Sequence, residues 1–263
     1  MAKRISSRDN PSFRQLHQLA HSSRERRKQG RTVLDGMHLV AEWAAHFGPP
    51  ELLAVSESGM RHPEIRDWLA AHATIRPLLL DDALFRQASP VDHPAGILAQ
   101  VAIPPPPRRP AATASRLYLE GVQDAGNLGS ILRSAAAAGL GDAFLSRGCA
   151  QAWSPRVLRA GMGAHFRLAI HEQTSLGQAL EGFGGVSIAM QAGTGRSIHE
   201  TDLRGPVAWI FGSEGGGLKA ETLAAATLAA CIPMSGGVES LNVAAAAAIC
   251  LFEEARQKQL QKT

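Results

Sequence analysis

The sequence "MSGGVESLNVAAAAAICLFEEARQ", residues 234–257, joins a polar loop directly to a long apolar segment. Residues 243–257 lack Gly and Pro, are rich in Ala and Leu, and end in charged residues, which predicts a helix. Ser240 or Asn242 could cap that helix, but one cap needs only one of them. Because buried polar groups need partners, the stretch also predicts a ligand that contacts this loop.

Composition and length are those of an ordinary soluble protein with one large or two small domains. The chain has 263 residues, of which 45% are hydrophobic and 19% charged. The first residues lack the apolar core of a signal peptide, and the apolar run at 243–252 has about half the length of a membrane span. The cysteines and histidines show no metal-site spacing. We therefore expect a cytoplasmic protein without a bound metal.

Positive charge is concentrated at the start of the chain. Residues 1–31 contain nine Lys and Arg against two acidic residues, a local charge of +7, so the rest of the chain carries −3 of the total +4. Asn10 and Pro11 predict the start of a helix, and "RERRKQGR" at 24–31 places cations near its end. This basic arm favours a nucleic-acid contact, and a merely solvated helix end is the alternative.

The first half alternates short β-like and helix-like segments. Strands are predicted at "RTVLDG", "ELLAVSES", "IRPLLL" and "GILAQVAI", with helical segments between them, which is typical of a small α/β domain. Four consecutive prolines at 104–107 then predict a stiff, extended linker. We therefore divide the chain into a domain at 1–103, a linker at 104–116 and a second domain at 117–263.

The second domain also alternates strands and helices. Strands are predicted at 116–122, 142–147, 166–172, 186–191, 206–212 and 229–234, and helices near 128–139, 153–162, 175–182, 218–226 and 243–258. Nearly continuous apolar strands separated by helices indicate a parallel sheet that is covered on both faces. Ligands bind such sheets beyond the carboxyl ends of the strands. The unusual loops of this chain fall at those ends.

Four short motifs follow predicted strands in the second domain. They are "NLGSILR" at 127–133, "GSEGGGL" at 212–218, "IPM" at 232–234 and "SLNV" at 240–243. Neither a P-loop nor a dinucleotide-binding glycine motif is present. The order and spacing of the four resemble the SpoU (TrmH-like) family of SPOUT RNA 2′-O-ribose methyltransferases. The segment "RTVLDGMHLV" at 31–40 resembles that family's N-terminal substrate-binding domain.

The resemblance implies a fold, a cofactor and a reaction. The fold is an α/β ribosomal-protein-like domain at 1–103 that binds RNA, followed by a SPOUT α/β domain whose chain forms a deep trefoil knot. The reaction is methyl transfer from S-adenosylmethionine to a ribose 2′-hydroxyl, in ribosomal RNA rather than transfer RNA. The family also implies a homodimer that uses the last helix, where residues 244–248 are all Ala.

The resemblance also assigns roles to individual residues. Cofactor contacts fall on Gly212, Ile232, Met234 and Leu241, and catalytic or bracing roles on Arg133, Asn127, Glu214, Ser240 and Asn242. The family places Arg133 at the reacting hydroxyl. Because a guanidinium has no lone pair that could accept a proton, we assign Arg133 to the adjacent phosphate and to the developing alkoxide.

Two positions depart from the family pattern. Ala125 replaces the usual Pro after Asp124, and Ala244 replaces a Ser that many members have after the last motif. The group that accepts the hydroxyl proton therefore stays open among Ser240, Asn242 and water. Two alternative functions also stay open, namely a transfer-RNA ribose methyltransferase and a non-catalytic RNA-binding or ribosome-assembly factor on the same scaffold.

Overall fold

In the computed structural model the chain forms two compact units. One consists of Met1–Pro104 and Trp153–Phe166, and the other of Pro105–Ala152 and Arg167–Thr263. The structure describes residues 3–91, 93–106, 110–235 and 237–260. None of the helices in these ranges is long and apolar enough to cross a bilayer.

The regular elements follow the alternation seen in the sequence. The strands are β1 (Lys3–Ile5), β2 (Arg31–Asp35), β3 (Leu52–Ser56), β4 (Leu78–Leu80), β5 (Ile97–Ala102), β6 (Arg116–Leu119), β7 (Asp142–Leu145), β8 (Ala169–His171), β9 (Val186–Met190), β10 (Arg196–Ser197), β11 (Val207–Phe211) and β12 (Leu228–Cys231). The helices are α1 (Pro11–His21), α2 (Ser23–Gln29), α3 (Met37–Phe47), α4 (Pro63–Ala71), α5 (Asp82–Ala88), α6 (Ala125–Ala137), α7 (Pro155–Gly161), α8 (Leu176–Leu180), α9 (Ala220–Ala225) and α10 (Val243–Gln259).

The first unit is built on a mixed five-stranded sheet in the order β1-β4-β3-β5-β2. Strand β5 runs antiparallel to both of its neighbours, and the other pairs are parallel. Helix α1 begins where the sequence predicts, because the Asn10 side chain accepts hydrogen bonds from the amides of Ser12 and Phe13. The apolar stripe of Phe13, Leu16 and Leu19 is buried in the core of this unit. The start of the chain is therefore part of the domain core.

Helix α7 belongs to the first unit, a placement that the sequence did not predict. Its cap is Ser154, whose side chain accepts from the Val157 amide, and Val157 and Leu158 are fully buried. The Thr32 hydroxyl of β2 donates to the Trp153 carbonyl at 2.6 Å. Because β2 is an edge strand of the sheet, the apolar side of α7 finds its cover there.

The second unit contains a seven-stranded sheet in the order β10-β12-β9-β11-β6-β7-β8. All of its neighbouring strands pair in parallel, which confirms the predicted α/β fold with a parallel sheet. The six predicted strands form within a few residues of their predicted ends, and the two-residue β10 is additional. The knot expected from the resemblance stays a prediction.

A buried carboxylate fixes α10 in the second unit. Glu254 is 2% exposed and accepts hydrogen bonds from the Ser115 hydroxyl, the Trp209 indole N–H and the Lys258 ammonium. The Ser115 oxygen also accepts from the Val207 amide at 2.9 Å. These hydrogen bonds satisfy polar groups that would otherwise be buried without partners, and they tie α10 to the starts of β6 and β11. The position of the N-terminus of α10 follows from that anchor and from its packing on α6.

Candidate functional site

The loop that follows β11, residues 212–218, folds back tightly on itself; we call it the glycine loop. Ser213 and Gly217 exchange two backbone hydrogen bonds of 3.0 and 3.1 Å, and the Ser213 hydroxyl accepts from the Gly216 amide. A Cβ on Gly212 would lie 2.2 Å from the Gly217 carbonyl carbon, so no other residue fits there without moving the backbone. Glycine at position 212 is therefore what permits the two backbone segments to approach each other so closely.

Asn127 links two loops that lie far apart in the sequence. Its side-chain N–H donates to the Glu214 carboxylate at 3.0 Å, and its side-chain carbonyl accepts from the Asn242 amide group at 3.0 Å. The α6 cap, Asp124, holds the backbone of Asn127 through a 2.7 Å hydrogen bond. The start of α6, the glycine loop and the start of α10 are thereby joined through one side chain.

Opposing effects act on the pKa of Glu214. Partial burial raises it, whereas the hydrogen bond from Asn127 and those from the backbone amides of Gln123 and Asp124 lower it. The net result is a pKa below the ordinary value for Glu. The carboxylate is thus ionised at neutral pH and acts there only as an acceptor.

In the loop before α10, Asn242 rather than Ser240 caps the helix. The Asn242 side-chain oxygen caps α10 by accepting from the amides of Ala244 and Ala245, while its nitrogen donates to Asn127. Asn242 therefore serves as both the cap and the link to α6. Ser240 is exposed and makes no hydrogen bond to another described residue.

A cavity of about 450 Å³ lies between the loops that follow β9, β11 and β12; we call it the glycine-loop cavity. Seven of the nine residues that the resemblance assigns lie in its wall, namely Gly212, Glu214, Ile232, Met234, Ser240, Leu241 and Asn242. Residues that the sequence analysis did not assign complete the wall, among them Met190, Gln191 and Ala192 after β9. Their signal was available, since they follow the carboxyl end of a predicted parallel strand.

Three backbone segments of this wall have free hydrogen-bonding groups. Gly212, Ile232 and Leu241 make no backbone hydrogen bond to any other residue that the structure describes. Backbone N–H and C=O groups are nearly always paired unless they meet water or a ligand. The backbone groups of these three residues can therefore bind a polar ligand in the cavity, as the resemblance implies.

Arg133 lies apart from the cavity wall. It is exposed on α6, and within the described ranges it has neither a hydrogen bond nor an ion pair. Asn127 and Arg133 are six residues apart, which places Arg133 about 240° farther around the helix. The structure thus brings Asn127 to the other predicted residues and leaves Arg133 facing solvent.

The two departures from the family pattern have small local consequences. Ala125 is the first residue of α6, where Asp124 already supplies the cap. Ala244 contributes its amide to the Asn242 cap, and the cavity wall contains Val243 and Ala246 rather than Ala244. A serine hydroxyl at 244 is therefore absent from a position beside the wall, not from the wall itself.

The basic arm in the first unit divides into buried, paired and free cations. Arg26 is 5% exposed and donates to the Leu19 and Ala20 carbonyls, so its role is structural. Arg4, Arg14 and Arg31 form ion pairs with Glu57, Asp9 and Glu51.

Arg24, Arg27 and Lys28 on α2 are exposed, and none has a partner among the residues that the structure describes. Their spacing of three and four residues puts them on one side of the helix. We call these three residues the α2 basic face.

Two family models match the chain. Residues 114–252 match the SpoU rRNA Methylase family, and residues 10–99 match the MRM3-like substrate binding domain. The first match covers all three loops of the glycine-loop cavity and also the α6 segment with Arg133. The second covers most of the first unit.

Individual proteins are similar along nearly the whole chain. An uncharacterized tRNA/rRNA methyltransferase, slr1673, from Synechocystis sp. is 36% identical over 97% of this chain and 94% of its own. The 23S rRNA (guanosine(2553)-2′-O)-methyltransferase RlmP from Bacillus subtilis is 30% identical over 95% of this chain and 98% of its own. An AdoMet-bound rRNA methyltransferase from Sinorhizobium meliloti has a similar structure, with a TM-score of 0.82, 25% identity and coverage of 97% and 98%.

These matches confirm the resemblance drawn from the four sequence motifs. The SpoU model alone spans more than half of the 263 residues, and two relatives, 36% and 30% identical, share both halves of the chain. This chain belongs to the SpoU rRNA methylase family.

Proposed function

We propose that this protein transfers a methyl group from S-adenosylmethionine to a ribose 2′-hydroxyl in RNA, and that the RNA is ribosomal. The observation that carries this proposal is the convergence of three loops on one cavity, with Asn127, Glu214 and Asn242 joined by hydrogen bonds. The similar RlmP acts on 23S rRNA, which supports ribosomal RNA as the substrate. The cytoplasmic location expected from the sequence stays a prediction.

The glycine-loop cavity fits S-adenosylmethionine. Its volume of about 450 Å³ is in the range of sites for nucleoside-sized ligands. Ile232, Met234 and Leu241 offer apolar surface, and the free backbone groups at Gly212, Ile232 and Leu241 offer directional hydrogen bonds. When bound, the cofactor supplies an electrophilic methyl group on a positively charged sulfur.

The residues around the cavity position the acceptor ribose. The Asn127 link holds Glu214 and Asn242 at fixed places in the wall, so polar groups that meet the ribose are preorganised. Ser240 has a free, exposed hydroxyl in the same wall. Of the three acceptors left open by the sequence, Asn242 has its side-chain oxygen occupied by two amides and its nitrogen by Asn127, so water takes the hydroxyl proton, directly or through the Ser240 hydroxyl. Arg133 is free and exposed on α6 but lies apart from the cavity wall, where it can hold an RNA phosphate, and its expected role at the developing alkoxide stays a prediction.

A first prediction tests the cofactor cavity with two glycine substitutions, one in its wall and one outside it. Gly212→Ala should weaken S-adenosylmethionine binding at least about tenfold, because its Cβ would overlap the Gly217 carbonyl and push the loop out of place. Gly205→Ala is the control, since Gly205 lies outside the cavity wall and its Cβ would meet no atom within 4 Å. Titration calorimetry measures both. Equal affinity in the two variants would place the cofactor elsewhere.

A second prediction distinguishes ribose from base methylation. The methylated nucleotide is mapped in an RNA fragment, and the fragment is then made with a single 2′-deoxy substitution at that nucleotide. Methyl transfer should vanish while binding persists, because the 2′-hydroxyl is the acceptor. Continued methylation of the deoxy nucleotide would show that a base is modified. RNA binding without any transfer would favour the non-catalytic factor, and transfer to transfer RNA alone would favour the tRNA enzyme.

A third prediction concerns the α2 basic face as a phosphate contact. Replacing Arg24, Arg27 and Lys28 by Ala should weaken RNA binding and lower the slope of log affinity against log salt by about 2. S-adenosylmethionine affinity should not change. Substitution is cleaner than deletion of residues 1–31, because deletion would remove Leu16 and its neighbours from the core.

The matched control for the α2 basic face removes the same charge elsewhere in the first unit. Arg4 and Arg14 are exposed and Arg31 is half-buried, and all three are already paired with acidic residues. Replacing those three by Ala should leave the salt slope nearly unchanged. If the two triple variants lose the same slope, the arm acts through overall charge and not through contacts.

A fourth prediction concerns the homodimer. The exposed side of α10 carries Ile249, which is 40% exposed, and Phe252, which is 50% exposed. This apolar stripe beside the small alanines supports a second copy of the chain as its cover. Ile249→Glu with Phe252→Glu should give a monomer in sedimentation velocity at micromolar concentration. The control, Val186→Glu, places a charge on an exposed apolar residue of β9 and should leave the dimer intact. A monomeric wild-type protein would refute the predicted homodimer.

A further inference from the structure

A second cavity of about 450 Å³ opens at the carboxyl ends of β6, β7 and β8; we call it the Tyr118 cavity. It lies at the same edge of the sheet as the glycine-loop cavity but is lined by other loops, together with α8 and α9. None of the residues that the resemblance assigns belongs to its wall. The mechanism proposed above therefore makes no use of it.

The two cavities flank one structural wall. The buried Glu120 at the end of β6 accepts from the Lys219 amide at 2.9 Å and from the Thr222 hydroxyl at 2.8 Å. These bonds fix the start of α9 directly after the glycine loop. A Cβ on Gly121 would lie 3.4 Å from the Ser213 Cβ, so the loop after β6 packs against the glycine loop itself. A ligand that spans this wall can reach both cavities.

The Tyr118 cavity contains polar groups without partners. Tyr118 is 4% exposed, and its hydroxyl makes no hydrogen bond to another described residue. The hydroxyl oxygen nevertheless keeps some accessible surface. The hydroxyl is therefore open to the cavity while its ring is buried. Burial raises the pKa of this hydroxyl to about 12, so at neutral pH it keeps its proton and can donate a hydrogen bond.

Two further groups in the wall are free. Arg147 and Gln173 are exposed and, in the described part of the chain, have no hydrogen bond or ion pair. Gln173 has φ +58°, a left-handed conformation that non-glycine residues seldom adopt and that is found often at binding sites. Lys219, by contrast, is paired, because its Nζ lies 3.7 Å from Oε1 of Glu221. The free groups are thus one cation, one amide and one phenol.

These three groups have the hydrogen-bonding and charge properties needed to bind a single nucleotide. A phenol and an amide can read the edge of a base, and a single guanidinium can hold one phosphate. We propose that the Tyr118 cavity binds a nucleotide that flanks the methylated one in the RNA strand, and so sets the sequence context of methylation. The proposal rests on the proposed function. Tyr118 and Gln173 contact the base, and Arg147 contacts its phosphate.

Two neighbouring alanines of α9 provide the test. Ala224 and Ala225 are both exposed, but only Ala225 lines the Tyr118 cavity. Ala225→Trp should fill the cavity mouth and weaken RNA binding about tenfold, because one base contact is lost. Ala224→Trp should bind RNA as the wild type does. S-adenosylmethionine affinity and the melting temperature should match the wild type in both variants.

The RNA side identifies the occupant. An RNA fragment that the wild-type protein binds is made with a single abasic nucleotide at each position in turn. At one position near the methylated nucleotide, the abasic substitution should weaken RNA binding by the wild-type protein about tenfold. The same substitution should not weaken binding by Ala225→Trp any further, since that variant has already lost the contact. Tyr118→Phe should show the same coupling at that position to a smaller extent. Arg147→Ala should lower the salt slope by about 0.7, and Arg196→Ala, at the opposite edge of the sheet, should not.

The outcomes separate this proposal from the proposed function. Coupling of one flanking position to Ala225→Trp supports the nucleotide site even if the wild type transfers no methyl group, in which case the proposed function alone fails. Equal effects of Ala224→Trp and Ala225→Trp, or no coupled position in the scan, overturn the nucleotide site while methyl transfer stands. Absence of any RNA binding overturns both.

Discussion

The side chain of Asn127 sets the polarity of the hydrogen bonds on which the site depends. Glu214 is ionised and can only accept, so the nitrogen of Asn127 must face it and the oxygen of Asn127 must face Asn242. The oxygen of Asn242 is occupied by the amides that begin α10, which leaves its nitrogen for Asn127. Each group thus has one orientation that satisfies all of its neighbours. A carboxylate in place of Asn127 would face Glu214 with like charge and would have no donor for it.

Close backbone contact is the second constraint on the site. Gly212 brings the chain back against Gly217, and this tight loop forms a wall of the glycine-loop cavity while leading directly into α9. The loop is held on its other side by Glu120, which is buried and has both oxygens occupied. One rigid loop therefore separates the two cavities at the carboxyl edge of the sheet. The sheet supplies the edge because all of its strands point in the same direction.

The basic arm shows why counted charge and available charge differ. The sequence places nine cations in 31 residues, yet one of them is buried against backbone carbonyls and three are paired with acids. The cations that stay free on α2 share one side of a short helix. That helix is held by α1, whose apolar stripe is part of the core of the first unit. A contact surface and a structural element therefore use the same segment of chain.

The sequence by itself determined the features that local chemistry controls. Apolar runs predicted the strands, Asn10 and Asn242 predicted helix starts, and the order of four motifs predicted the family and the wall of one cavity. These follow from neighbouring residues, since propensity, capping and glycine geometry act over a few positions.

Only the tertiary structure decided which distant residues meet. Asn127 and Asn242 are 115 residues apart, and Thr32 and Trp153 are 121 residues apart. The placement of α7 on the first unit, the burial of Arg26, the distance of Arg133 from the cavity wall and the existence of the Tyr118 cavity depend on such pairings. No local pattern encodes them, because each results from how complete strands and helices find cover for their apolar faces.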